Sequence, residues 1–279
     1  MLTTADIHTV RHTRWQDPHL TWGFVPTMGY LHAGHISLVE QARQENDRVA
    51  ASIFVNPTQF APDEDLDSYP RALQADLEKL AAAGVDLVFT PNNDIMYPPN
   101  YQTWVDVTNV TQPLEGSKRP THFRGVTTVV TKLFNIVQPT RAYFGQKDAQ
   151  QVIVIRQMTR DLNINTDIVV CPIARAADGL ALSSRNSYLS PDERQSATVL
   201  YRALMLAQNA IEGGQTDANQ IRQQMRSLID NTPHTRLDYI SCAHPDTLQE
   251  QDSISSPILI SLAVFVGTTR LIDNLLLDW

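Results

Sequence analysis

Cysteine is scarce in this 279-residue chain, with only Cys171 and Cys242. That excludes a disulfide framework and a cysteine-rich metal site, and it fits a reducing cytoplasm. Long apolar runs are absent too. No stretch approaches a membrane span, and Met1 to Val10 lacks an apolar core of signal-peptide length. Positive charge is also short: 22 Lys and Arg stand against 30 Asp and Glu, for a net charge of −8. This argues against partnership with nucleic acid or a membrane surface. Anions can still bind, because a pocket needs only local positive charge. There is no internal repeat or low-complexity tract. G-x-S-x-G, G-x-G-x-x-G and Walker A runs are missing, so hydrolase and dehydrogenase readings lack support. A cytoplasmic globular protein is the expectation.

What is present is an ordinary globular composition, 42% hydrophobic and 19% charged, with length for one large domain or two smaller ones. Strands are expected at 21–26, 49–55, 85–89, 141–145 and 168–171. Helices between them are expected at 34–45, 70–83, a stretch ending before Pro139, and 149–161. An early helix is read at 5–14, and Leu73, Leu77 and Leu80 share one face of the 70–83 helix. The segment 91–120 reads as irregular, with one short strand at 103–107. This alternation predicts an α/β fold with a doubly wound parallel sheet and ligands at the strand carboxyl ends. Beyond it, helices at 192–211 and 217–229 precede strands at 237–241, 258–265 and 271–275. That change of pattern predicts a smaller C-terminal α+β domain, dividing the chain into 1–174 and 175–279.

The chemistry concentrates around Phe24 to His35. A strand ends at Pro26, a tight turn follows at Met28-Gly29, and a helix opens near Gly34. Such a junction aims backbone N–H groups and a positive helix end at one point, where a phosphate can sit. His32 and His35, three apart, can both face that point and donate to oxygens that gain charge in a transition state. Two ordinary surface histidines on a turn would look the same. Gln59 follows the second strand, either at a ligand or as a solvated amide. Gly145-Gln146-Lys147-Asp148 ends the fourth strand, where a lysine can reach phosphates or simply lie exposed. Leu182-Ser183-Ser184-Arg185 offers two hydroxyls and a guanidinium, a phosphate clamp or a plain turn. Arg119, His122 and Arg124 stand before a helix, where they could draw anions.

The run P-T-M-G-x-L-H-x-G-H resembles the ATP-binding signature of pantothenate synthetases (pantoate–β-alanine ligases), within the wider H-x-G-H nucleotidylyltransferase group. Six pieces match in family order, at 24–35, 52–60, 69–71, 119–125, 144–151 and 178–186. A weaker match returns at Gly267-x-x-Arg-Leu-Ile-Asp-Asn274. The resemblance implies a Rossmann-like nucleotide-binding domain with a C-terminal lid. It implies a cytoplasmic homodimer of pantothenate biosynthesis, on the coenzyme A pathway, using ATP and Mg²⁺. The reaction would join pantoate to β-alanine through a pantoyl-adenylate, releasing AMP and pyrophosphate.

The same resemblance assigns His35 and His32 to the ATP phosphates as catalytic donors. Met28, Gly29, Gly34, Gly145, Gln146, Lys147, Asp148, Ala174 and Leu182 fall to the nucleotide. Lys147, Ser183, Ser184 and Arg185 fall to its phosphates as catalytic groups. Gln59 and Gln151 would hold pantoate, with Asn56, Tyr69, Arg119 and His122 lining the pantoate and β-alanine side. No ligand is assigned to the metal. Two positions depart from the family pattern: Gln146 replaces a common glutamate, and Ala149 a common aromatic. Two other readings compete. A nucleotidylyltransferase acting on a phosphorylated cofactor would share H-x-G-H but have no use for two carboxamides around an acid. A regulator without catalysis would show damage at His35, Lys147 or Arg185, and all three are intact.

Overall fold

The computed structural model describes residues 1–62 and 64–279, and its contacts divide the chain into two units. The first comprises Met1–Gly145 with Gln150–Pro172, and the second Gln146–Ala149 with Ile173–Trp279.

The first unit begins with β1 (Leu2–Thr4), α1 (Ile7–Trp15), β2 (Trp22–Thr27), α2 (Ala33–Glu45), β3 (Arg48–Ile53), α3 (Leu73–Ala82) and β4 (Leu87–Phe89). Two single-turn helices, α4 (Asn93–Met96) and α5 (Glu115–Lys118), precede α6 (His122–Val137), β5 (Arg141–Gly145), α7 (Ala149–Asp161) and β6 (Asp167–Cys171). Its six strands are all parallel, in the order β1-β4-β3-β2-β5-β6. The strands run outward from β2 in one direction and from β5 in the other. The carboxyl ends of β2 and β5 thus mark the crossover crevice where such sheets bind ligands. The Val25, Val39, Val49, Ala51, Leu80 and Val88 side chains fill one face of the sheet and are fully buried. Continuous apolar strands are what helices on both faces require.

Four expectations need correction. The three-residue β1 pairs with β4 at the sheet edge, although the polar N-terminus gave no strand signal. Residues 103–107 are not a strand. There the α6 hydroxyls replace a ladder: Thr128 Oγ1 accepts from Val105 N–H at 3.1 Å, and Thr127 Oγ1 donates to Val105 O at 2.6 Å. The helix expected from Pro70 starts at Leu73, whose side chain is 49% exposed rather than on the buried face. The long helix expected at 192–211 is two, α8 (Pro191–Ser196) and α9 (Val199–Glu212). Thr198 Oγ1 donates to Gln195 O at 2.8 Å at the break, a side-chain bond that competes with helix continuation.

The second unit continues with α10 (Ala218–Asp230), β7 (Thr235–Ala243), β8 (Ile258–Val266) and β9 (Thr269–Leu277). The three strands form an antiparallel sheet in sequence order. Leu200, Leu204, Ile221, Met225, Ile260 and Leu262 are buried in its core. Among the described residues no helix is long and apolar enough to cross a membrane.

Candidate active site

Between β2 and α2 the backbone is held at three points by one face of α3. Asp76, 1% exposed, accepts from Tyr30 N–H through Oδ2 and from Leu31 N–H through Oδ1, both at 2.7 Å. Lys79, one turn further along α3, donates from Nζ to Leu31 O at 2.6 Å. Tyr30 has φ 52°, a left-handed backbone that side chains other than glycine rarely adopt. The clamp supplies what keeps it there.

His32 then caps α2. Its Nδ1 accepts from Gly34 N–H at 3.1 Å, while His35 Nδ1 accepts from His32 N–H at 3.3 Å. The two rings lie 4.1 Å apart at 47°. Accepting at Nδ1 requires a lone pair there, so the neutral ring carries its proton on Nε2. Both imidazoles are therefore set as Nε2–H donors by the helix cap itself.

A second group surrounds Gln59, in the turn after β3. Asn56 is buried, and its Nδ2 donates to Gln59 Oε1 at 3.1 Å and to Gly125 O at 3.1 Å. Gln59 Nε2 donates to the Met28 sulfur at 3.0 Å, tying this turn to the end of β2. Tyr97 donates to Asn56 Oδ1 at 2.9 Å, and burial pushes its phenol up to about 12. Gly125 permits the packing of α6 on this turn, because a Cβ there would meet Thr58 O at 2.5 Å. The Gln59 carbonyl accepts from His122 Nδ1 at 2.8 Å and from Arg119 Nη2 at 3.3 Å. Arg119 is engaged by both oxygens of Glu64, one of them at 2.6 Å from Nη2. Burial draws Glu64 upward, but bonding and charge from Arg119 outweigh it and hold the carboxyl below its usual range. His122 is driven down to about 4, by burial first and Arg119 second. It stays neutral, with its proton on Nδ1.

In the second unit, residues 174–182 form a tight hairpin. Leu182 N–H donates to Ala174 O at 2.9 Å, and Arg175 pairs with Ala181. Ser183 Oγ accepts from Arg185 N–H at 3.3 Å, opening the 3-10 turn Ser184–Tyr188. Gln146 to Asp148 form another 3-10 turn, in which Lys147 Nζ lies 3.6 Å from Asp148 Oδ1.

Residues 2–276 match the profile of the family described as Pantoate-beta-alanine ligase. The chain belongs to the pantoate–β-alanine ligase family. It is 58% identical over 260 residues to the pantothenate synthetase of Roseiflexus castenholzii, covering 93% of this chain and 94% of that protein. With the pantothenate synthetase of Herpetosiphon aurantiacus it shares 56% identity over 278 residues, covering 99% and 100%. The structure is similar to the pantothenate synthetase of Thermus thermophilus, with TM-score 0.94 and 46% identity over 99% of each chain. A pantoate-beta-alanine ligase of Francisella tularensis, complexed with beta-gamma ATP and beta-alanine, matches with TM-score 0.81 and 38% identity, covering 99% of this chain and 97% of that one.

In this ligase, Met28, Gln59, Asn56, Arg119 and His122 fall into one bonded network. Tyr69 packs edge-on against Phe60 at 5.7 Å beside it. Of two consecutive glutamines on α7, Gln150 is committed to structure. It accepts from Glu115 N–H at 3.0 Å and donates to Val110 O and Pro113 O. Gln151 is half-buried and takes no part in those bonds. Sequence reasoning missed Asp76, Lys79, Glu64 and Tyr97. A carboxylate three residues before a lysine on a helix reads as a solvated face, and only the fold reveals that Asp76 turns inward.

Proposed function

We propose that this enzyme makes pantothenate from pantoate, β-alanine and ATP through a pantoyl-adenylate, with roles divided as follows. The pantoate carboxylate attacks the α-phosphorus of ATP, forming the mixed anhydride and expelling pyrophosphate. Such a transfer needs alignment and charge neutralisation more than covalent help. The amine of β-alanine then attacks the acyl carbon, AMP leaves, and solvent takes the amine proton.

The observation that carries this reading is the fixed tautomer of His32 and His35. Two rings held as Nε2–H donors can donate to oxygens that gain charge as the α-phosphorus is attacked. Lys147, Ser183, Ser184 and Arg185 neutralise the triphosphate, and Met28, Gly29, Gly34, Gly145, Gln146, Asp148, Ala174 and Leu182 line the nucleotide. Gln59 and Gln151 hold pantoate. Neutral amides orient its oxygens without locking the carboxylate into a strong ion pair. Arg119 and His122 act at one remove, through the Gln59 carbonyl, as Asn56 does through the Gln59 amide.

Mg²⁺ arrives on the phosphates, as MgATP. The enzyme works as a homodimer in the cytoplasm. Family resemblance supports the first point, and two free, buried thiols accord with the second.

Incubation with ATP, pantoate and β-alanine, singly and together, tests the whole. AMP and pyrophosphate are expected, with pantothenate only when all three are present. ADP as the main product would remove the adenylate mechanism.

A further inference from the structure

The Gly267–Asn274 run ends on two buried polar side chains, Asp273 and Asn274, each 2% exposed. Asn274 Nδ2 donates to the carbonyls of Gln146 and Lys147, each at 2.9 Å, and its Oδ1 accepts from Gln146 Nε2 at 3.0 Å. These bonds fix the orientation of the amide. Flipped, its oxygen would face two carbonyl oxygens, and its NH₂ the Gln146 NH₂. Gln146 takes part only because it is an amide, since a glutamate at that position has no proton to donate. Gln146 thus makes this contact where a glutamate could not donate.

Asp273, next along β9, accepts from Arg175 at 2.6 and 3.0 Å and from Asn274 N–H at 2.8 Å. Arg175 also donates to Gly179 O at 3.0 Å and lies over the Tyr201 ring at 4.7 Å. Gly179, with φ +89°, closes the hairpin so near Tyr201 that a Cβ would fall 1.9 Å from Cδ1. Two adjacent residues of β9 therefore hold two separate segments, Gln146-Lys147 and the 174–182 hairpin that leads into Ser183–Arg185. Packing alone does not require this. Burying a carboxylate and an amide is costly unless each is fully partnered, and apolar side chains would fill the space more cheaply. In a trans peptide the N–H points opposite to its C=O, so pinning two carbonyls also sets the direction of the Lys147 and Asp148 N–H groups.

We propose that Asn274 is a positioning residue for the nucleotide. Its amide sets the backbone that presents Lys147, and its neighbour Asp273 sets, through Arg175, the hairpin that presents Ser183 to Arg185. This rests on the assignment of ATP phosphates to those two segments.

The test compares Asn274→Ala, Asn274→Asp, Gln146→Met and Lys147→Ala in the full chain. Each is titrated with a non-hydrolysable ATP analogue, assayed for AMP release, and checked by thermal melting. Asn274→Ala is expected to raise KM for ATP about tenfold, with KM for pantoate and β-alanine within twofold of the parent. Asn274→Asp should be worse than alanine, because its carboxylate faces two carbonyl oxygens. Gln146→Met loses one bond and should raise KM for ATP two- to fivefold, which keeps the idea testable if the Asn274 variants do not fold. A purely architectural role would lower the melting temperature and the active fraction while leaving KM for ATP unchanged. That pattern in the folded variants overturns the proposal. If Lys147→Ala itself binds the analogue like the parent, the assignment of ATP to this segment fails and the proposal falls with it. If Lys147→Ala is weakened and the folded 274 and 146 variants are not, only the role of Asn274 is lost.

Discussion

The carboxylate of Asp76 holds the N–H of Leu31 at 2.7 Å across 45 residues of sequence. Its other oxygen holds the neighbouring N–H of Tyr30 at the same distance, and the next residue after Leu31 is the histidine that caps α2. The direction of His32 thus depends on a side chain in another helix. In Asp76→Asn one oxygen remains, but the amide NH₂ faces a backbone N–H. A buried donor left without an acceptor costs about 1–3 kcal/mol. Urea denaturation is expected to register that loss. AMP formation should fall at least tenfold, because donors in a transition state must be aimed closely. Normal turnover in the destabilised variant would make the clamp a matter of stability alone.

His122 gives a pH signature. Its ring is lowered from 6.5 to about 4 in the fold, by burial and by Arg119, against opposing contributions from the Gln59 carbonyl, Glu64 and Glu115. Between those two values the unfolded chain binds a proton that the folded chain refuses. Stability from this residue is therefore fully present above about pH 6.5 and declines as pH falls toward 4. The linkage is worth about 3 kcal/mol at most, from the gap between those two values. Denaturation curves taken at steps from pH 7.5 to 4.5 should slope downward in the parent. The slope should be shallower in His122→Asn, whatever its absolute stability. Equal slopes would mean that the buried ring does titrate.

Gln151 and the Ser184–Arg185 pair should separate the two halves of the chemistry. Gln151→Ala is expected to raise the pantoate requirement, a loss of about 1–3 kcal/mol, and leave ATP affinity within a few-fold. Ser184→Ala and Arg185→Ala should weaken binding of the triphosphate and change pantoate binding little. Titration of each variant with each ligand decides between them. Loss of ATP binding with pantoate binding kept, in Gln151→Ala, would assign that end of α7 to the wrong substrate.

Apolar periodicity and turn residues made the parallel sheet legible, because strands covered on both faces must be apolar throughout. Val49, Ala50 and Ala51 are such a run, and all three are buried. The β-α alternation placed ligands at strand carboxyl ends, so Met28, Gln59 and Gly145 could be referred to neighbouring ones. The edge strand β1 could not be read. Its three residues take their structure from β4, 83 or more positions away, and not from any local pattern. The site was legible where a motif lies within a few residues, as with His32 and His35. It was not where a side chain serves a distant partner. Asp76 and Glu64 each act on atoms more than 40 positions away, and nothing in their own neighbourhoods distinguishes them from solvated polar residues.

The grip of Asn274 on Gln146 and Lys147 spans 128 and 127 residues, and it sets an order of events during synthesis. Domains generally fold as they emerge, N-terminal portions first, while contacts between remote positions are slow to close. The six strands of the parallel sheet and the capped helix α2 all lie within the first 171 residues, so they can mature early. Gln146 and Lys147 emerge before the last of these strands is finished, yet they must wait for β9. A nascent or prematurely terminated chain that stops short of Asn274 therefore has its imidazoles in order but its ammonium loosely held. Such a fragment would display part of a site without the means to turn it over.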